Sequence, residues 1–192
     1  YPVEEKSIIK ELEERAQKYD WDGAKKRAVA DTWKNQYMVN LPPAQEHKEW
    51  LIDPTIRVTQ DVKDKQGRVI ASAGELINPL ARFPQNLTMI IFDPMNPGQL
   101  EWAEKQYRQR LGSGQVMPMF TRIKQENGWD HLNDLREKFN GKVFKVNEQI
   151  IARFQIKNTP ALISTEKEKF RITQFSEAEI RGIGTKIAAE EN

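Results

Sequence analysis

The chain has 192 residues, 38% hydrophobic and 30% charged, enough apolar material for one substantial core and a smaller appendage. Thirty basic against 28 acidic side chains leave +2, so charge nominates no direct nucleic-acid partner; no apolar run approaches the roughly 18 residues of a membrane span. The absence of cysteine removes disulfides, thiolate catalysis and zinc–thiolate sites together, without fixing the compartment.

Residues 1–38 read as a helical N-terminal segment. Its opening, YPVEEKS, has neither the basic n-region nor the apolar h-region of a secretory signal; a cleaved signal would leave the same start, so the opening does not imply cytoplasm. Ile8, Leu12, Ala16 and Tyr19 recur at helical spacing with charges between them. Asp20-Trp21-Asp22-Gly23 interrupts the pattern, and either aspartate can cap a second helix carrying Ala24, Ala28 and Trp33. A stripe this narrow packs more often on its own domain than on another protein.

Residues 39–86 read as a linker and β-hairpin region. The linker, VNLPPAQEH, is proline-containing and polar. Ile56, Val58 and Val62, then Val69 and Ile70, have strand character, and Asp64-Lys65-Gln66-Gly67 between them is a reverse turn in which Gly67 can take positive φ. Gly74 and Asn78-Pro79 punctuate the exit. Asp61 and Asp64 lack the dense alternation of oxygen ligands of a calcium loop, so turn chemistry is the better reading of them.

Residues 87–192 alternate strand and helix. LTMIIF is a strand. The helix QLEWAEKQYRQRL follows, with Leu100, Ala103, Tyr107 and Leu111 on one face. QVMPMFTRI is a strand whose Pro118 favours an edge or a bulge. Next come the helix WDHLNDLREKF with Asp130 as cap, the strand KVFKV, and the helix NEQIIARFQI capped by Asn147. PALIS and FRITQF flank the turn TEKEK as a hairpin, and a last helix starts at Ser176. Helical connections make the first strand pairs parallel, and the terminal hairpin is antiparallel, so the fold class is α/β with a mixed sheet.

MIIF-DPMNPG-QLEWA followed by ARFQIKNTPALIS resembles the thioredoxin fold, with Thr159-Pro160 where that fold has its cis-proline loop and Met95-Asn96-Pro97-Gly98 where its two cysteines bracket the helix start. The C-terminal part is therefore expected to be a thioredoxin-like domain without cysteines. IDPTIRVTQDVKDKQGRVIASAGELINPL, with the Trp-bearing region before it, is similar to the signature region of the TraW family of F-type conjugative type IV secretion systems. That resemblance implies a periplasmic pilus-assembly protein, made with a signal peptide that this chain lacks, and a partnership with TrbC and other secretion-system components.

Chemistry is hard to assemble from these residues. A thioether cannot ionise and glycine has no side chain, so Met95 and Gly98 exclude thiol–disulfide exchange. His47 sits in the polar linker, where a solvated side chain is expected; His131 sits in the first turn of a helix, a poor position for its protonated form. No nucleophile elbow, phosphate-binding glycine loop or metal-ligand cluster is present. Lys25-Lys26-Arg27 and Arg108/Arg110 are small basic clusters without an aromatic platform for bases. The expectation is a non-enzymatic assembly factor with no cofactor. The alternative is a periplasmic chaperone or peptide-binding module using the degenerate redox loop. Three surfaces compete for the partner: the aromatic helices with Trp21, Trp33 and Tyr37; the hairpin with Asp61, Asp64 and Gly67; and the loops with Met95, Asn96, Pro97, Thr159 and Pro160.

Overall fold

A computed structural model describes residues 8–34 and 36–181. Two helices come first, α1 (Ile8–Lys18) and α2 (Trp21–Asp31). Asp20 is the aspartate that caps α2, its carboxylate accepting the Gly23 N–H at 2.8 Å. The stripe on α1 does not pack inward as expected. Ile8, Ile9, Leu12 and Tyr19 are all exposed, and α1 buries no side chain.

The segment expected to be linker does two structural jobs. Residues 39–47 run as an extended strap against the domain, and the chain then enters a strand, β1 (Lys48–Ile52). The expected single hairpin is two nested antiparallel ribbons. The outer one pairs β2 (Ile56–Arg57) with β5 (Leu76–Ile77); the inner one pairs β3 (Val62–Lys63) with β4 (Val69–Ala71). The turn falls where expected, with Gly67 at φ +82 and its N–H donating to the Asp64 carbonyl at 3.0 Å. A short helix, α3 (Pro79–Arg82), follows; Asn78 caps it and Leu80 is buried.

The remaining elements are β6 (Leu87–Phe92), α4 (Pro97–Arg110), β7 (Gln115–Phe120), α5 (Gly128–Lys138), β8 (Phe144–Lys145), α6 (Glu148–Phe154), β9 (Ala161–Glu166) and β10 (Lys169–Gln174). Helical backbone resumes over 177–181, where Ser176 and Glu179 form a reciprocal capping box; the rest of the expected last helix lies outside the described residues. The sheet runs β1-β10-β9-β6-β7-β8. Its β6–β7 and β7–β8 pairs are parallel and its other pairs antiparallel, as the helical and hairpin connections require.

Alternation along the strands divides the core. Ile90 and Phe92 face one side, where Trp102, Ala103 and Tyr107 of α4 and Leu132 and Leu135 of α5 cover them, with Phe139 beside α5. Met89 and Ile91 face the other, under Phe154 of α6, Leu80 of α3 and Val39 of the strap. This mixed sheet between helices, with its cis Thr159-Pro160 bond, is the thioredoxin-like fold.

Local expectations fail in four places. Asn127, not Asp130, is the N-cap residue of α5, and it makes no side-chain cap bond. Leu111 ends α4 and is exposed. Trp33 is buried, at 7% exposure, because its ring lies edge-on to Trp129 at 5.3 Å and fills the space a side chain at Gly128 would need. Pro118 is on neither an edge strand nor a bulge. The Gln115 N–H donates to the Asn86 carbonyl just ahead of β6 and the Thr121 N–H to the Phe92 carbonyl at its end, so position 118 faces β8, which pairs only from Met119 onward, and no ladder bond is lost.

Candidate functional site

The Met95–Gly98 loop and the Thr159-Pro160 loop meet because β6 and β9 are antiparallel neighbours, with Ile91 opposite Ala161; the end of one strand and the start of the other share one edge of the sheet. Asn96 caps α4 through bonds from the Gly98 and Gln99 N–H groups at 3.1 and 3.3 Å, and Pro97 takes the first helical position. The Asn96 amide also donates to Glu177 at 2.7 Å.

The residue that joins the two loops is Gln99, 1% exposed. Its carbonyl oxygen accepts the Asp93 N–H at 2.9 Å, and its amide donates to the Thr159 carbonyl at 3.3 Å. Asp93 is itself buried. One carboxylate oxygen accepts the Met95 N–H at 2.9 Å and the other takes both Nε and a terminal nitrogen of Arg122, at 2.9 and 2.6 Å. Asp93 directly follows the apolar run of β6 and Gln99 lies on the buried side of α4, and neither partner set is local enough to read from the sequence.

The frame keeps space for a side chain at the second cysteine-like position, because a Cβ on Gly98 meets nothing nearer than Asn96 Oδ1 at 3.4 Å. Met95 is exposed. A Met95→Cys/Gly98→Cys variant is therefore expected to close a disulfide across the helix start on mild oxidation. Constraint of so short a loop is worth about 2 kcal/mol. Thiol titration and urea unfolding of the oxidised and reduced variant check this, and two persistently free thiols would refute it.

His131 lies beside this cluster as a structural acceptor, its Nδ1 taking the Lys124 N–H at 3.1 Å. Burial and then the Lys124 charge hold the imidazole below its ordinary 6.5. A depressed folded-state pKa makes its contribution complete above 6.5 and lost as pH falls through the lower folded value. An NMR titration should place the His131 midpoint below 6.5 and show the Lys124 amide losing protection as the ring protonates. A midpoint at or above 6.5 would contradict the assignment.

The other sequence candidates are scattered. Trp21 is exposed, edge-on to Tyr19 at 4.8 Å, and donates its indole N–H to the Ala16 carbonyl. Tyr37 is exposed, with its hydroxyl on Glu148 and its carbonyl accepting from Lys145 at 3.2 Å. Trp33 is core and presents no face to a partner. In the ribbons, Asp64 accepts the Gln66 and Arg68 N–H groups and the Arg68 guanidinium, and these bonds hold its carboxyl below the usual range; Asp61 accepts the Ala73 N–H at 2.8 Å. Asp64 therefore closes its turn and Asp61 ties the inner ribbon across to Ala73, and the exposed apolar residues around them, Ile56, Val62, Val69, Ile70 and Leu76, are what the ribbons present outward. Lys25 and Lys26 line a cleft of about 550 Å³ between α2 and the start of α5, where Asp22, Glu126 and Asp130 outnumber them. Among the described residues no three or more histidine, aspartate or glutamate side chains converge as metal ligands.

His47 is exposed, as expected, but it is also held: Nδ1 lies 2.9 Å from Glu179 Oε1 and the ring is edge-on to Phe175. The residues before it, Pro42 to Ala44, lie directly on the Thr159 main chain. Nothing in the composition of VNLPPAQEH marks it as an occupant of that loop.

No family model matches the chain. A secreted Mycobacterium tuberculosis disulfide oxidoreductase homologous to E. coli DsbE overlaps 57% of this chain and 87% of its own at 15% identity, with a TM-score of 0.37. A thioredoxin-like superfamily protein overlaps 71% of this chain and 94% of its own at 14% identity, again with a TM-score of 0.37. Overlaps this loose leave the fold assignment to the topology itself. Protein TraW of Escherichia coli (strain K12) is 25% identical over 190 residues, covering 93% of this chain and 85% of that protein. The uncovered 7% is shorter than the helical arm, the ribbon region or the sheet, so the likeness to TraW reaches all three.

Proposed function

We propose that this protein is a non-enzymatic assembly factor for the F-type conjugative pilus and its type IV secretion apparatus, working in the periplasm through protein–protein contacts, with a TrbC-like protein as one partner. The pilus and TrbC assignments come from the family resemblance. The observation that carries the contact role is the uncovered apolar face of α1, where Ile8, Ile9, Leu12 and Tyr19 stand 75%, 68%, 59% and 53% exposed and Trp21 continues the patch. An amphipathic helix left bare in this way supplies the anchors of a helix-in-groove contact. Burying one leucine-sized side chain contributes about 1.5–3 kcal/mol. The charges of α1 balance, Lys10, Arg15 and Lys18 against Glu11, Glu13 and Glu14, which favours a protein groove over an anionic lipid surface.

The loop reading is the weaker one, because the Thr159 main chain is already paired within the chain. The test is binding of the full-length protein to a TrbC-like partner. Leu12→Glu should weaken it at least tenfold and Met95→Glu less than twofold. If Met95→Glu removes binding and Leu12→Glu does not, the chaperone or peptide-binding reading takes over. The cysteine-free protein should also fail to reduce insulin, and turnover there would contradict the non-enzymatic assignment.

A further inference from the structure

Thr159 stands just ahead of β9, an interior strand, with both main-chain groups directed at the strap. Its N–H donates to the Pro42 carbonyl at 3.1 Å and its carbonyl accepts the Ala44 N–H at 2.8 Å, which sets Pro43 opposite Thr159 in a parallel bridge. Further fastenings follow. The Ala44 carbonyl accepts the Glu177 N–H at 3.0 Å, the Glu46 carbonyl accepts the Gln174 amide at 3.0 Å, and His47 reaches Glu179. Ala44 is 0% exposed and Val39 6%, while Leu41 packs against the same core cluster.

We propose that residues 39–47 are a built-in, displaceable ligand of the Thr159-Pro160 loop: they close this surface to other polypeptides, and a partner's extended segment pairs with Thr159 only after the strap lifts. Two features make the strap separable from the sheet. Pro42 and Pro43 carry no N–H, so a lifted strap exposes few main-chain donors and the prolines keep it extended in water. The strap also ends at β1, which five residue pairs hold to β10 independently of Thr159, so lifting need not unravel the sheet. The chemistry that fits is an extended segment with a carbonyl for the Thr159 N–H, an N–H two residues later for its carbonyl, and a small side chain at that second position. Nothing larger than alanine fits where Ala44 is fully enclosed. This inference is independent of the pilus reading, since it concerns what the strap does to the loop and not which partner the arm holds.

The probe is a fluorescein-labelled peptide with the chain's own sequence from Met38 to Lys48, offered to the full-length protein. Wild type should bind it at least tenfold more weakly than Ala44→Asp, in which a carboxylate forced into an enclosed site ejects the resident strap. Equal anisotropy titrations for the two proteins, binding or silent, would overturn the proposal. Should Ala44→Asp not fold, hydrogen exchange on wild type decides. The Ala44 amide should exchange at least a hundredfold faster than Ile91 and Ile163 in the sheet, yet more slowly than a free chain. Protection equal to the sheet would mean the strap leaves only on global unfolding, and free-chain exchange that it is never seated; either result refutes the idea.

Discussion

Trp102→Ala is expected to lose about 3–5 kcal/mol of stability, a large share of the roughly 5–15 kcal/mol that a domain holds. Trp102 is 2% exposed in the middle of α4, faces Ile90 and Phe92 in one core cluster, and lies 5.1 Å from Phe175, just after the end of β10. Removing it leaves a cavity between α4 and the sheet at a place fixed on both sides, so little collapse can refill it. Its indole N–H is buried without a hydrogen-bond partner among the described residues. Trp102→Phe therefore sacrifices packing but no hydrogen bond, and should cost less than about 2 kcal/mol. Urea unfolding followed by circular dichroism separates the two. An alanine variant within 1 kcal/mol of wild type would mean that the α4–sheet contact is not the centre of this core.

Gln99→Leu should cost about 1–3 kcal/mol, out of proportion to its near-equal size. The lost carbonyl leaves the buried Asp93 N–H without an acceptor. The lost amide removes the link to the Thr159 carbonyl, which keeps only the Ala44 N–H. Gln99→Glu is the sharper probe, because a carboxylate can still accept from Asp93 but cannot donate to Thr159, and it carries a charge into a site 1% exposed. Burial raises the folded-state pKa of such a carboxyl above its unfolded value of about 4.3, so the variant's stability relative to wild type should be greatest below that value. It should fall as pH rises through the folded value. A pH-independent difference between the glutamate variant and wild type would show that position 99 is not enclosed in solution.

The strand LTMIIF was legible because a run apolar on both faces suits a central strand covered by helices on both sides. Though the equally local Asn96 cap went unread, the caps at Asp20 and Asn147, and the Asp64–Gly67 turn, were legible because side-chain to main-chain bonds are local chemistry. Trp33 was not: it lies beyond the end of α2, and its burial is decided by Trp129 and Gly128, nearly a hundred residues away. The periodicity of α1 is that of an amphipathic helix, but a stripe does not say what covers it. KEWLI held a faint signal in the alternation of Trp50 and Ile52 about the exposed Leu51, masked by the lysine and glutamate that suit an edge. The strap was invisible to any periodic reading, because two prolines and a few polar residues make the same pattern whether the segment is free or seated.

The pairing of β1 with β10 bears on how shortened forms of this protein behave. A fragment starting at residue 87 keeps the whole β6–β10 portion of the sheet but strips β10 along all but its first residue, since Lys48–Ile52 covers Phe170–Gln174 residue for residue. The bared strand, KFRITQ, is rich in β-formers, and it would present unsatisfied main-chain donors and acceptors beside a newly uncovered apolar surface where Trp50 had lain. Two such fragments can satisfy each other edge to edge, so self-association or inclusion bodies would follow from where the gene was cut and not from any weakness in the remaining fold.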